Sequence, residues 1–276
     1  MDAAARYAER LDAVNTQLER VAGATYDNRW DRMASAFTMD PHRDLDPNLA
    51  IVAEYVRPDD VIVDVGGGAG RVSLPLALRA REVIDVDPSP GMCAAFETSA
   101  RDAGITNARA IQSAWPAEGV AGDLVLVFNV TYFVRDIVPF VEALQHTARR
   151  RVMIGVWSVP PPAQDLALFE LVHGEPGESV PSHRELLPVL WEMGILPDVR
   201  VLPNDFRFPG ALPQSKEAAI DFALDRLAAK EKERPRSIVT ERFDELFTQS
   251  EAGYRSRWRP SAREMLITWE TPPVAP

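Results

Sequence analysis

Apolar positions along this chain change period several times, and each change predicts an element. Leu11, Val14, Leu18 and Val21 recur at helical spacing among acidic and basic residues, so residues 3–22 read as an amphipathic helix ending at Gly23. A helix over Asn48–Arg57 leads through Pro58 into Val61-Ile62-Val63, a β-branched run expected to be a strand buried on both faces. The strand Glu82–Asp87, a helix from Pro90 to Ala103 closed by Gly104, and the strand Ala108–Gln112 follow. Pro88 suits a helix start. The continuous apolar run Asp123–Phe128 predicts a central strand, Asp136–Ala148 a helix and Arg151–Trp157 another strand. Strands alternating with helices in this way predict a parallel, doubly wound α/β sheet.

After Trp157 the alternation stops at Pro160–Pro162. Residues 164–173 look helical, and Ser182-x-x-Glu185 is a capping box for a helix ending near Gly194. Val199–Phe208 has strand character. Ser215-x-x-Ala218 opens a helix to about Lys230, Pro235 breaks it, and a second helix reaches about Gln249. The run Glu264–Trp269 closes the pattern as a strand. Between Tyr26 and Asp46 the aromatics Tyr26, Trp30 and Phe37 form either a cap on the core or a lid over a ligand.

The densest signal lies in Val61–Leu76, where a strand runs into Gly66, Gly67, Gly68 and Gly70 and then into a helical pattern. Glycines in such a turn permit positive φ and close approach of a ligand to the backbone, with helix N–H groups as donors. A dinucleotide fingerprint needs G-x-G-x-x-G, but from Gly66 the third position falls on Arg71 and from Gly68 on Ser73. The spacing present is Asp64-x-Gly66-x-Gly68-x-Gly70. It resembles motif I of the class I S-adenosylmethionine-dependent methyltransferases, and the likeness extends over about residues 48–158.

An acid about 20 residues beyond such a turn, at the end of the neighbouring strand, is placed to accept ribose hydroxyls. Asp87 stands there, and DVDPSPGM is similar to the family's pattern. The resemblance implies S-adenosyl-L-methionine as cofactor, bound by Asp64, Gly66, Gly67, Gly68, Gly70, Asp87, Pro88, Met92, Ala114, Trp115 and Asn129. It also implies a substrate wall from Tyr26, Trp30, Tyr132 and Trp157. Two positions depart from the family: Asp85 replaces a usually small residue, and Ser113 an acid. Asp85 must find a donor such as Arg81, or water, or its pKa will rise.

Composition narrows the partners. A formal net charge of -11 would repel a phosphate backbone, so nucleic acid is not expected. The single cysteine, Cys93, excludes an internal disulfide and points to a reducing compartment. No run reaches the ~18 apolar residues of a membrane span, so a soluble cytoplasmic protein is expected. His42, His146, His173 and His183 show no metal-ligand spacing, and no metal is expected. His173, His183 and Tyr132 remain as candidate proton acceptors. Asn129-Val130-Thr131-Tyr132 lacks the two prolines of the family's base and glutamine amino-methylating members.

These observations predict a seven-stranded Rossmann-like sheet, mostly parallel with an antiparallel last strand. Residues 1–47 are expected to form a helical cover over a methyltransferase domain at 48–276, with a helical insertion at about 210–250. The expected activity is methyl transfer to a small-molecule acceptor. The alternatives are a non-catalytic S-adenosylmethionine-binding scaffold or sensor and an NAD(P)-dependent oxidoreductase. A homodimer is compatible with the sequence.

Overall fold

The computed structural model describes residues 2–23, 34–203 and 212–272. Five parallel strands, Val61–Val65 (β1), Glu82–Asp87 (β2), Ala108–Gln112 (β3), Gly122–Phe128 (β4) and Ala148–Trp157 (β5), form most of one sheet. Asp198–Val201 (β6) joins at the far edge. The sheet is completed by Glu264–Glu270 (β9), which follows the hairpin strands Phe247–Ser250 (β7) and Gly253–Ser256 (β8) in the chain. The order is β3-β2-β1-β4-β5-β9-β6, with β9 antiparallel to both neighbours. The expected seven-stranded doubly wound sheet is what forms.

Helices cover both faces because the strands are apolar on both. In β1, Val61, Val63 and Val65 enter one core cluster and Ile62 the other. The first face is packed by Ala3–Ala22 (α1), through Tyr7, Leu11 and Val14. The opposite face receives Leu49, Ile51 and Val52 of Pro47–Ala53 (α2), Leu74 and Leu76 of Ser73–Ala77 (α3), and Phe96 of Pro90–Asp102 (α4). Ile137–Thr147 (α5) joins α1 on the first face through Val141 and Leu144. Each fully buried Leu, Ile or Val contributes roughly 1.5–3 kcal/mol, so these stripes fix the layers.

Caps set several boundaries. Asp46 accepts from the backbone N–H groups of Asn48 and Leu49, and Ser89 from that of Met92. The helix after β2 therefore starts at Pro90, and Pro88 lies ahead of its cap rather than at the first turn. Between β5 and β6 run Leu166–His173 (α6) and His183–Glu192 (α7), the latter opened by the expected Ser182–Glu185 capping box. α7 lies beside α1, adding Leu186, Val189 and Leu190 to the same cluster.

The C-terminal portion differs from the sequence reading in detail. Lys216–Arg226 (α8), Glu233–Glu241 (α9) and Phe243–Leu246 (α10) replace two longer helices. Pro235 lies inside the first turn of α9, where a missing N–H costs no intrahelical bond. Helix does not reach Gln249: the chain becomes β7 and turns back through Gly253, at φ +116°. β6 is only Asp198–Val201, and the end of the strand expected to reach Phe208 lies outside the described residues. A third, smaller apolar cluster joins Leu168 and Val172 of α6 to Ile220 and Leu224 of α8, Val239, Phe243 and Phe247.

Candidate functional site

The carboxyl ends of β1, β2 and β4 converge on the glycine turn. Gly66, Gly68 and Gly70 have φ between 62° and 80°. A Cβ at Gly67 would lie 2.3 Å from Asp64 Oδ2 and 2.5 Å from Asp85 Oδ1, so no larger residue fits between the two carboxyls. At Gly68 the only neighbour of such an atom among the described residues is Met92 Sδ at 3.4 Å, which leaves that side of the turn open to a ligand among those residues.

The donors of the turn are spent inside the protein, contrary to the expectation of free helix N–H groups. Gly66 N–H donates to Val86 O, Gly67 N–H to Asp85 Oδ1 at 3.0 Å, Gly68 N–H to Asp87 Oδ2 at 3.2 Å, and Gly70 N–H to Gly67 O. α3 is only 5 residues long, too short for a helix-terminus anion site.

Strand register makes the turn acidic. Asp64 pairs across β1 and β2 with Asp85, and Asp87 lies two residues further on the same side. Asp85 is fully buried; it meets Gly67 N–H rather than Arg81, and its Oδ2 has no partner among the described residues. Burial, with Asp64 and Asp87 adding, pushes its pKa up to about 9, so it carries its proton at neutral pH. Burial also lifts Asp64 to about 6, against the opposing pull of the Ser73 hydroxyl and the Arg71 guanidinium. Both Asp64 oxygens and Ser73 Oγ lack hydrogen bonds of standard geometry among the described residues.

Asp87 has a different setting. It is 7 % exposed, and its two oxygens accept from Ser89 N–H at 2.8 Å and from Gly68 N–H. These two backbone donors fix the carboxylate in place at the end of β2. Met92 lies buried beneath the turn, Ala114 is exposed, and Trp115 is half-buried against the core, its indole N–H without a partner among the described residues.

Beyond β4 the chain turns at Asn129, the one described non-glycine residue with positive φ (63°). Its Oδ1 accepts from Tyr132 OH at 3.3 Å, and its side chain also donates to Glu264 on β9. Glu264 accepts from Asn48 Nδ2 at 3.1 Å and lies in the field of Arg71, whose charge also faces Asp46 and Asp64. Burial raises the Glu264 pKa, while Arg71, Asn48 and Asn129 oppose the rise. Glu264 and Asn48 had no motif around them in the sequence, and Arg71 and Ser73 lie in the glycine-turn stretch without a role assigned to their side chains.

Other expected site residues fall elsewhere. Tyr132 is 1 % exposed; its hydroxyl donates to Asn129 and accepts from Trp157 N–H at 2.5 Å, so it is a buried strut rather than a free proton acceptor. Trp157 is a core residue, 6 % exposed. His173 Nε2–H donates to Ala228 O at 3.1 Å and the ring packs on Phe169, in the layer of the third cluster. His183 opens α7 beside α1, and burial lowers its pKa, favouring the neutral ring. Tyr26 and Trp30 lie outside the described residues.

Comparison with known proteins agrees with this geometry. Residues 62–150 match the methyltransferase domain family, and these residues carry β1 to the start of β5 with the glycine turn. The chain has the class I S-adenosylmethionine-dependent methyltransferase fold. A crystal structure of a putative methyltransferase from Bacillus halodurans is 13% identical with a TM-score of 0.55, covering 81% of this chain and 97% of that one. Magnesium protoporphyrin IX methyltransferase from Synechocystis PCC 6803, with bound SAH, is 14% identical with a TM-score of 0.50, covering 97% and 99%. The [4+2]-cyclase SpnF is 12% identical with a TM-score of 0.51, covering 97% of this chain and 94% of that one. Among curated sequences, an uncharacterized protein of Haemophilus influenzae is 25% identical over 66% of this chain and 68% of its own length. A 23S rRNA (uracil(1939)-C(5))-methyltransferase of Aeromonas hydrophila is 40% identical over 25% of this chain, which is 17% of that enzyme.

Proposed function

We propose that this chain binds S-adenosyl-L-methionine at the glycine turn and transfers its methyl group to a small-molecule acceptor. The observation that carries the reading is Asp87, held by Gly68 and Ser89 at the carboxyl end of β2 beside the open side of the turn. In this reading Asp87 accepts the ribose hydroxyls, while Gly66–Gly70 and Asp64 line the methionine end. Pro88, Met92, Ala114 and Trp115 flank the base, and Asn129 borders the transferred group. The cofactor supplies an electrophilic methyl on a sulfonium. The protein supplies alignment and a negative field, and alignment of this kind contributes roughly 7–11 kcal/mol to a displacement.

Residues 1–47 act as a cover in this reading, 48–276 as the catalytic domain and about 210–250 as its insertion. A net charge of -11 supports a small acceptor over nucleic acid, and the buried lone thiol of Cys93 supports a reducing, cytoplasmic setting. Among the described residues no helix is long and apolar enough to cross a membrane. A second reading, a scaffold or sensor that binds S-adenosylmethionine without transfer, is favoured by the commitment of Tyr132 and His173 to other partners. The register of the glycines disfavours an NAD(P)-dependent oxidoreductase.

Calorimetric titration with S-adenosylmethionine and S-adenosylhomocysteine, with NADH as control, tests the cofactor. Wild type is expected to bind the first two and not NADH, and Asp87→Ala to lose most of that binding. Unchanged affinity in the folded variant would displace the ribose site. Binding without turnover across an acceptor screen would favour the second reading.

A further inference from the structure

Among the described residues five large apolar side chains are markedly exposed, and four of them gather at one place: Trp191 (55%), Leu196 (83%), Val199 (45%) and Val201 (56%). They occupy the end of α7, the following loop and β6. β6 is the edge of the sheet, and all of its residues are exposed. Val199 and Val201 pair with Ile267 and Met265, so their side chains share the face covered by α1 and α7. Clustered exposed apolar groups of this kind mark interaction surfaces.

The backbone at this edge is equally directional. Leu202 N–H donates to Glu264 O, so Asp198, Arg200 and Leu202 direct their backbone groups at β9. The alternation turns the N–H and C=O of Val199 and Val201 outward, toward whatever lies beyond the edge.

We propose that this edge pairs with the same edge of a second copy of the chain, antiparallel about a twofold axis through Val199. In that register Val199 faces Val199 and exchanges both hydrogen bonds with it. Each Val201 N–H meets the Pro197 carbonyl of the second copy, while the Val201 carbonyl receives no donor there because Pro197 has no N–H. Asp198 of each copy stands opposite Arg200 of the other, in the close, non-hydrogen-bonded pair type. Neighbouring registers are worse. A twofold through Arg200 sets two guanidinium groups face to face, and one between Val199 and Arg200 mixes apolar with charged residues on both faces. Charge complementarity therefore selects a copy of this chain as the occupant. Arg200 already pairs with Glu54 at 3.5 Å, but both side chains are at least half exposed and the pair is readily exchanged.

Cross-linking tests the register. The native chain has one cysteine, buried Cys93. Val199→Cys is expected to give a covalent dimer on mild oxidation, because the facing Cα atoms of such a pair are about 5.5 Å apart, within disulfide range. Leu78→Cys, at another exposed position, is expected to give no covalent dimer under the same oxidation while still sedimenting as the non-covalent dimer. Sedimentation tests the charges: Asp198→Arg or Arg200→Asp alone should weaken the dimer roughly tenfold, since the twofold counts each reversal twice, and the combined variant should restore it. Unchanged thermal unfolding separates these effects from loss of fold. The proposal is overturned by a wild type that sediments only as monomer. Lack of the Val199→Cys cross-link, or no rescue in the combined variant, would overturn it equally, including when a dimer forms through another surface.

Discussion

Around Gly67 two carboxyls are packed into the sheet with oxygens left unpartnered, whereas the cluster between α6, α8, α9 and β7 is apolar inside. There the contacts of Arg236 with Glu217 and Asp221 stay at the surface, and the buried carboxylate beside the cluster, Asp165, is paired with Arg259 and the Trp258 indole N–H. Unpaired buried polar groups are costly, and neighbouring carboxyls in one low-dielectric space more so. The glycine turn is thus arranged against stability and the insertion cluster for it, which is the division expected when a site occupies one region and only structure the other.

The comparison breaks most sharply at Gly67→Ala. Its Cβ would fall on the Asp64 and Asp85 oxygens, which are anchored in strands and cannot both withdraw. A loss of roughly 3 kcal/mol of stability is expected from overpacking, with loss of detectable S-adenosylmethionine binding by calorimetry. Leu224→Ala in the insertion should cost about 2 kcal/mol through the cavity it leaves. Denaturant titration would register that loss while binding stays near wild type. Equal damage to binding from both variants would erase the division.

The mildest variant is Asp85→Asn, which keeps the shape of a protonated carboxyl. Because the folded-state pKa of Asp85 is raised to about 9 from an ordinary 3.8, the folded protein retains a proton that the unfolded chain releases above about pH 4. Stability therefore falls as pH rises from about 4 toward 9. Asp64, raised to about 6, adds in the same direction over the lower part of that range. Asp85→Asn should remove most of the slope and stabilise the protein at neutral pH, as measured by urea unfolding across the range. A slope unchanged by the substitution would mean that Asp85 is ionised in the folded state.

The two regions were also unequally legible in the sequence. β1 to β5 and Asp64, Gly66, Gly68 and Asp87 could be read because strand, turn and helix lie in sequence order and the turn chemistry is local. The pair formed by Asn48 and Glu264 could not, since 216 positions separate them and only the placement of β9 beside β5 joins them. Tyr132 was misjudged for a related reason: its position at a strand end was visible, but the backbone N–H of Trp157 that occupies its hydroxyl was not. In the insertion, Phe243, Leu246 and Phe247 have helical spacing, yet Phe247 belongs to a hairpin strand stacked on Phe243. Only the turn at Gly253 carried a local sign of the change.

The place of β9 has a consequence for how the molecule is made. It lies between β5 and β6 although it is synthesised after both, so β6 has no strand to join until residues 264–270 have left the ribosome. Glu264 arrives with them, and with it the anchor for Asn48 and Asn129. The nascent chain can thus assemble the glycine turn early, but the finished site waits until β9 has been made.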